Sequence, residues 1–170
     1  MRSRLRLGLV AVLSFTLGFV SLPAATALDE RVIDIATVTW SGARAPSVSA
    51  TDISNSINTR VGPQWKAMTT FKGDAKDQSV KFVNGLTLAT PVTLNSPIRC
   101  EGTGYSTFAS AMRTEVYKRL GVSDYKDRYL IILTPFAGCV WEGRSSMGEF
   151  SGGGATITMQ NSASAFVITH

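Results

Sequence analysis

The stretch "RVIDIATVTW", residues 31–40, decides how the rest of the chain is read. It is dense in β-branched residues and mostly apolar at both odd and even positions, which predicts a strand from Val32 to Trp40 buried on both faces. A second run of the same kind, "RYLIILTPF" at 128–136, predicts another fully buried strand, ended by Pro135.

Between these two runs, the turn-forming "SGARAPS" at 41–47 leads to Ser49 or Thr51 as a helix cap. Ile53, Ile57 and Val61 follow at four-residue spacing, and Gly62-Pro63 is expected to break or restart that helix, with Trp65 and Met68 facing the core on its last turn. "SVKFVNG" and "LTLATPVTL" predict two short strands joined by a hairpin turn at Asn84-Gly85, with Pro91 marking the second as an edge or irregular strand. "YSTFASAMRTEVYKRLG" is the clearest helix. Phe108, Met112, Val116 and Leu120 form its apolar stripe, and Gly121 closes it.

After the second buried strand comes "AGCVWEGRSSMGEFSGGG", which is longer than a plain connector and is therefore a candidate functional loop. "ATITMQ" predicts one more strand, and "NSASAFVITH" the start of a helix capped by Ser162 or Ser164. Strands alternating with helices in this order predict an α/β (α+β) sandwich built on a mixed sheet of about four to five strands.

The first residues, "MRSRLRLGLVAVLSFTLGFVSLPAATA", have a basic tip, an apolar run from Leu7 to Val20 and a small-residue site at Ala25 to Ala27. They predict a signal peptide over residues 1–27 and a secreted, extracellular domain over 28–170. The apolar run is shorter than the roughly 20 residues of a membrane span, and no later segment is long and apolar enough, so no stable membrane anchor is expected. Arg2, Arg4 and Arg6 supply more than half of the formal net charge of +5, and no basic face remains to suggest a nucleic-acid partner. In an exported chain Cys100 and Cys139 are expected to form one disulfide, closing a loop of about 40 residues and stabilising the fold by about 4 kcal/mol. A monomer is expected.

Several chemistries fail on context. "GEFSGGGAT" lacks the Gly-Lys-Ser/Thr of a phosphate loop and precedes a strand. Ser145, Ser146 and Ser151 have no histidine before His170 to act as base, and no Gly-x-Ser-x-Gly elbow is present. Glu142 and Glu149 are a candidate carboxylate pair for acid and base work, although loop carboxylates are ordinarily solvated surface. Two cysteines and one distant histidine make no structural zinc motif.

That histidine, His170, is the chain's single one, and it stands at the apolar helix start "SAFVITH". Together with the element order, the "GCVWEG" run at Gly138 to Gly143 and the glycine-rich approach to "ATITMQ", it gives the segment from about Arg31 to His170 a resemblance to the N-terminal subdomain of a metzincin. The nearest likeness is to the gametolysin-type secreted peptidases. The resemblance implies a mixed twisted sheet, two long helices and the start of an active-site helix. It also implies a zinc metalloendopeptidase in which a metal-activated water attacks the peptide bond and His170 is the first zinc ligand. In that family an extended peptide or protein substrate lies along the edge strand of the sheet, which would assign Gly154, Ala155, Thr156 and Ile157 to its backbone.

The family's glutamate base and second and third histidines come after the first ligand, so no catalytic residue is expected in residues 1–170. This chain alone is expected to be inactive and to hold zinc no more tightly than an exposed histidine does. The competing expectation is a small secreted binding or inhibitory domain that does no chemistry.

Overall fold

The computed structural model describes residues 29–69, 80–146 and 154–160. The expected leader at 1–27 and the expected last helix with His170 lie outside the described residues. At the centre runs β1 (Asp29–Trp40), with its side chains sorted by parity. Ala36, Val38 and Trp40 enter one apolar cluster and Ile33 and Ile35 the other, one on each face of the sheet. The strand is apolar at odd and even positions because both of its faces are covered.

β4 (Tyr129–Thr134) lies parallel to β1, from Ile33 opposite Tyr129 to Thr37 opposite Leu133, and is sorted in the same way. Leu130 and Ile132 join the first cluster, Ile131 and Leu133 the second. β6 (Thr156–Gln160) runs parallel to β4, and β5 (Gly143–Ser146) runs antiparallel to β6. On the far side of β1, β2 (Val80–Thr87) pairs parallel with its first half and β3 (Val92–Leu94) with Val38 to Trp40. The order is β2-β1-β4-β6-β5 with β3 beside β1, six strands in a mixed sheet among the described residues. The fold is mixed α/β, as the alternation of elements predicts.

One helical layer is α3 (Gly102–Leu120), which buries Tyr105, Ala109, Met112, Val116 and Tyr117 against the sheet. Phe108 and Leu120 are partly buried beside that cluster, and Gly121 ends the helix in the left-handed region at φ 70°, where a Cβ is unfavourable. The other layer is a continuous helical segment: α1 (Ala50–Ser56), a π-helical turn (Ile57–Val61) and α2 (Gly62–Thr69). Ser49 caps α1 in a capping box with Asp52. The Gly62-Pro63 pair does not break this segment. The Gly62 N–H reaches back to the Ile57 carbonyl, and the wider turn lets Pro63 start α2 without the hydrogen it lacks. Trp65 packs edge-on to Phe82 at 5.4 Å, but Met68 is 62 % exposed rather than facing the core.

The hairpin expected at Asn84-Gly85 is absent. β2 runs straight through both residues, and the register to β1 shifts between Ile33 and Ile35 instead. The cause is Asp34, fully buried in the middle of β1. Its carboxylate occupies the space that a side chain at Gly85 would fill, and it accepts the Leu86 N–H at 2.6 Å. Arg128 grips the same carboxylate with Nε and Nη2, both at 2.6 Å, and Tyr117 Oη donates to it at 2.9 Å. The bond to Asp34 raises the Arg128 guanidinium above its ordinary pKa, and burial, followed by the Asp34 charge, raises the Tyr117 phenol.

Candidate functional site

β5 lies inside the stretch expected to be a functional loop, and the long loop is thereby cut into two shorter arms. Its ladder to β6 pairs Gly143 with Met159, Arg144 with Thr158, Ser145 with Ile157 and Ser146 with Thr156. The Gln160 N–H donates to the Glu142 carbonyl at 2.8 Å, which sets the phase of the ladder. Antiparallel hydrogen bonding alternates every second residue, so Glu142, Arg144 and Ser146 turn their backbone groups toward β6. Gly143 and Ser145 therefore turn their N–H and C=O groups outward. Among the described residues no strand pairs with that outer edge.

The backbone edge expected at Gly154, Ala155, Thr156 and Ile157 is not free. Thr156 and Ile157 belong to β6, which is paired to β4 on one side and β5 on the other. The Ala155 carbonyl accepts the Leu130 N–H at 2.9 Å, and the Gly154 N–H donates to the Lys126 carbonyl. A side chain at Gly154 would overlap the Arg128 backbone, so this segment is packed into the sheet. Among the described residues the unpaired edge lies one strand further out, on Gly143 and Ser145.

A brace of side chains fixes β5 from the α3 side. The expected disulfide is present between Cys100, just before α3, and Cys139, with an S–S distance of 2.03 Å. The Cys100 carbonyl accepts both Trp141 Nε1 at 2.9 Å and Arg144 Nη1 at 2.7 Å. The Arg144 guanidinium lies 4.6 Å from the centre of the Tyr105 ring. Tyr105 Oη donates to the Arg144 carbonyl at 2.5 Å and sits 3.2 Å from Thr158 Oγ1. Burial raises the Tyr105 phenol above its ordinary pKa, so it stays a donor throughout the neutral range. Gln160 holds the preceding arm, accepting the Ala137 N–H at 2.9 Å and donating to the Trp141 carbonyl at 2.5 Å. Among the described residues the result is an edge strand braced from one face, with the outer backbone groups of Gly143 and Ser145 paired to no other strand.

Of the other candidates, Glu142 and Ser145 are exposed and Ser146 lies on β5, while Glu149, Ser151 and His170 lie outside the described residues. Among the described residues no group of three or more His, Cys, Asp or Glu side chains is placed to hold a metal ion. No described helix is long and apolar enough to cross a membrane. The residues that matter most here, Tyr105, Arg144 and Gln160, carry no periodic or motif signal of their own. Asp34 does carry one: an acid in the middle of a doubly buried strand needs a partner.

No protein-family model matches the chain, and no curated protein sequence matches it.

Proposed function

We propose that the chain is the peptide-binding, N-terminal part of an exported zinc metalloendopeptidase of the metzincin kind. The observation that carries the reading is the braced antiparallel strand β5 with the backbone groups of Gly143 and Ser145 turned outward. An extended peptide can add to that edge through main-chain hydrogen bonds. The same strand is joined to β6, and β6 leads in sequence directly into the segment that ends at His170. The order of the elements is compatible with the resemblance, and an oxidised cysteine pair suits an exported protein.

The described residues supply binding and no metal site. Zinc would rest on His170 and on ligands beyond it, so no chemical step is assigned to the residues described. Expression of the coding sequence together with whatever follows His170 tests the proposal. The expected product starts at Leu28, retains zinc through purification and cleaves unstructured protein, with cleavage lost to a chelator and to His170→Ala. A product that binds extended peptides but never hydrolyses them would leave the binding-domain reading in its place.

A further inference from the structure

The outer edge of β5 presents more than backbone. Arg144 stands between the two outward-facing residues, and the pleat turns its side chain onto the α3 face, where Tyr105 lies beneath it. One of its five N–H donors is spent on the Cys100 carbonyl. Among the described residues it meets no carboxylate, unlike Arg119, which pairs with Glu115 at 2.7 Å, and Arg128, which pairs with Asp34 at 2.6 Å. Arg144 is only partly buried, and its plane is held by the Tyr105 ring and the Cys100 carbonyl, so little side-chain freedom is left to lose on binding.

An antiparallel strand added at Gly143 and Ser145 places its intervening residue directly opposite Arg144. That is a non-hydrogen-bonded position, where Cα atoms approach to about 4.5 Å and both side chains project on the same face. From this geometry we infer that the β5 edge selects peptides carrying Asp or Glu at the residue opposite Arg144. The acidic side chain completes the guanidinium fork that the described residues leave open. The inference rests on the edge-binding reading above and adds the substrate class to it.

Three peptides that differ only in a central Glu, Gln or Lys test it on the full-length secreted protein. Affinity is measured for each while the amide resonances of Gly143 and Ser145 are followed. The Glu peptide is expected to bind about fivefold more tightly than the Gln peptide, and the Lys peptide more weakly than either. The Glu preference should shrink with added salt. Arg144→Gln should level the three affinities, and Arg144→Lys should keep only part of the Glu preference. Equal affinities on the wild-type protein, with Gly143 and Ser145 responding, overturn the selection by Arg144 and leave the edge reading standing. No response at Gly143 and Ser145 to any peptide overturns both. The wild-type comparison decides the matter even if the Arg144 variants fail to fold.

Discussion

The centre of the sheet and its β5 margin are built from the same parts, a guanidinium, tyrosine hydroxyls and main-chain groups, and they end in opposite states. At the centre the Asp34 carboxylate takes donors from Leu86, Arg128 and Tyr117, two on each oxygen, and is fully enclosed. Both carboxylate oxygens are fully subscribed, and the Arg128 charge is matched although only two of its N–H donors are spent on Asp34. At the margin the bracing atoms are equally well paired, but Gly143 and Ser145 face outward and Arg144 has donors to spare. The two clusters therefore differ in whether the guanidinium has met a carboxylate: Arg128 has, and among the described residues Arg144 has not.

The largest effect should come from breaking the closed centre. Asp34→Ala leaves Arg128 and Tyr117 facing a void and is expected to cost about 3 to 5 kcal/mol, read by urea unfolding. A cost below about 1 kcal/mol would mean that the carboxylate is replaceable and the contrast drawn too sharply. Next is the brace: replacing Cys100 and Cys139 together with alanine should cost about 3 kcal/mol. Hydrogen exchange should quicken at Arg144 and Thr158 while Ile131 and Leu133 in β4 stay protected. Uniform loss of protection would show instead that the margin is not a separate unit.

Tyr105→Phe removes the donor to the Arg144 carbonyl and should cost about 1.5 kcal/mol, with the added exchange confined to β5. The smallest effect is remote from both regions. Hydrogen bonds from the Ser49 side chain and backbone hold the Asp52 carboxyl below the ordinary aspartate pKa. Because the folded value is depressed, the contribution of this cap to α1 is present above the unfolded pKa and is lost as pH falls through the folded one. Carboxyl titration by NMR should give a midpoint below that of a free aspartate, and Ser49→Ala should move it back up while costing about 1 kcal/mol.

The sheet centre and α3 were legible because burial imposes a period. β1 and β4 are apolar on both faces, α3 repeats its apolar residues every third or fourth position, and Gly121 is where the left-handed cap requires a glycine. What escaped was set by distant partners. Asn84-Gly85 carries the local chemistry of a hairpin, yet the deciding fact is that the Asp34 carboxylate, from another strand, fills the space over Gly85. β5, with the sequence Gly-Arg-Ser-Ser, has no apolar alternation, and none of its residues enters either apolar cluster. The backbone edge expected at Gly154 to Ile157 is not free, because β6 is paired to β4 on one side and β5 on the other. Tyr105 and Tyr117 stand outside the stripe of Phe108, Met112, Val116 and Leu120, and the targets of their hydroxyls lie on other elements.

Amide hydrogen exchange of the secreted protein, with and without a saturating extended peptide containing a central Glu, tests the β5 edge most directly. Among the described residues the Gly143 and Ser145 N–H groups have no strand partner, while Arg144 and Thr158 have theirs within the ladder. Peptide binding should therefore slow exchange at Gly143 and Ser145 and leave Arg144 and Thr158 nearly unchanged. Equal rates at Gly143 and Ser145 in the two samples would contradict the account.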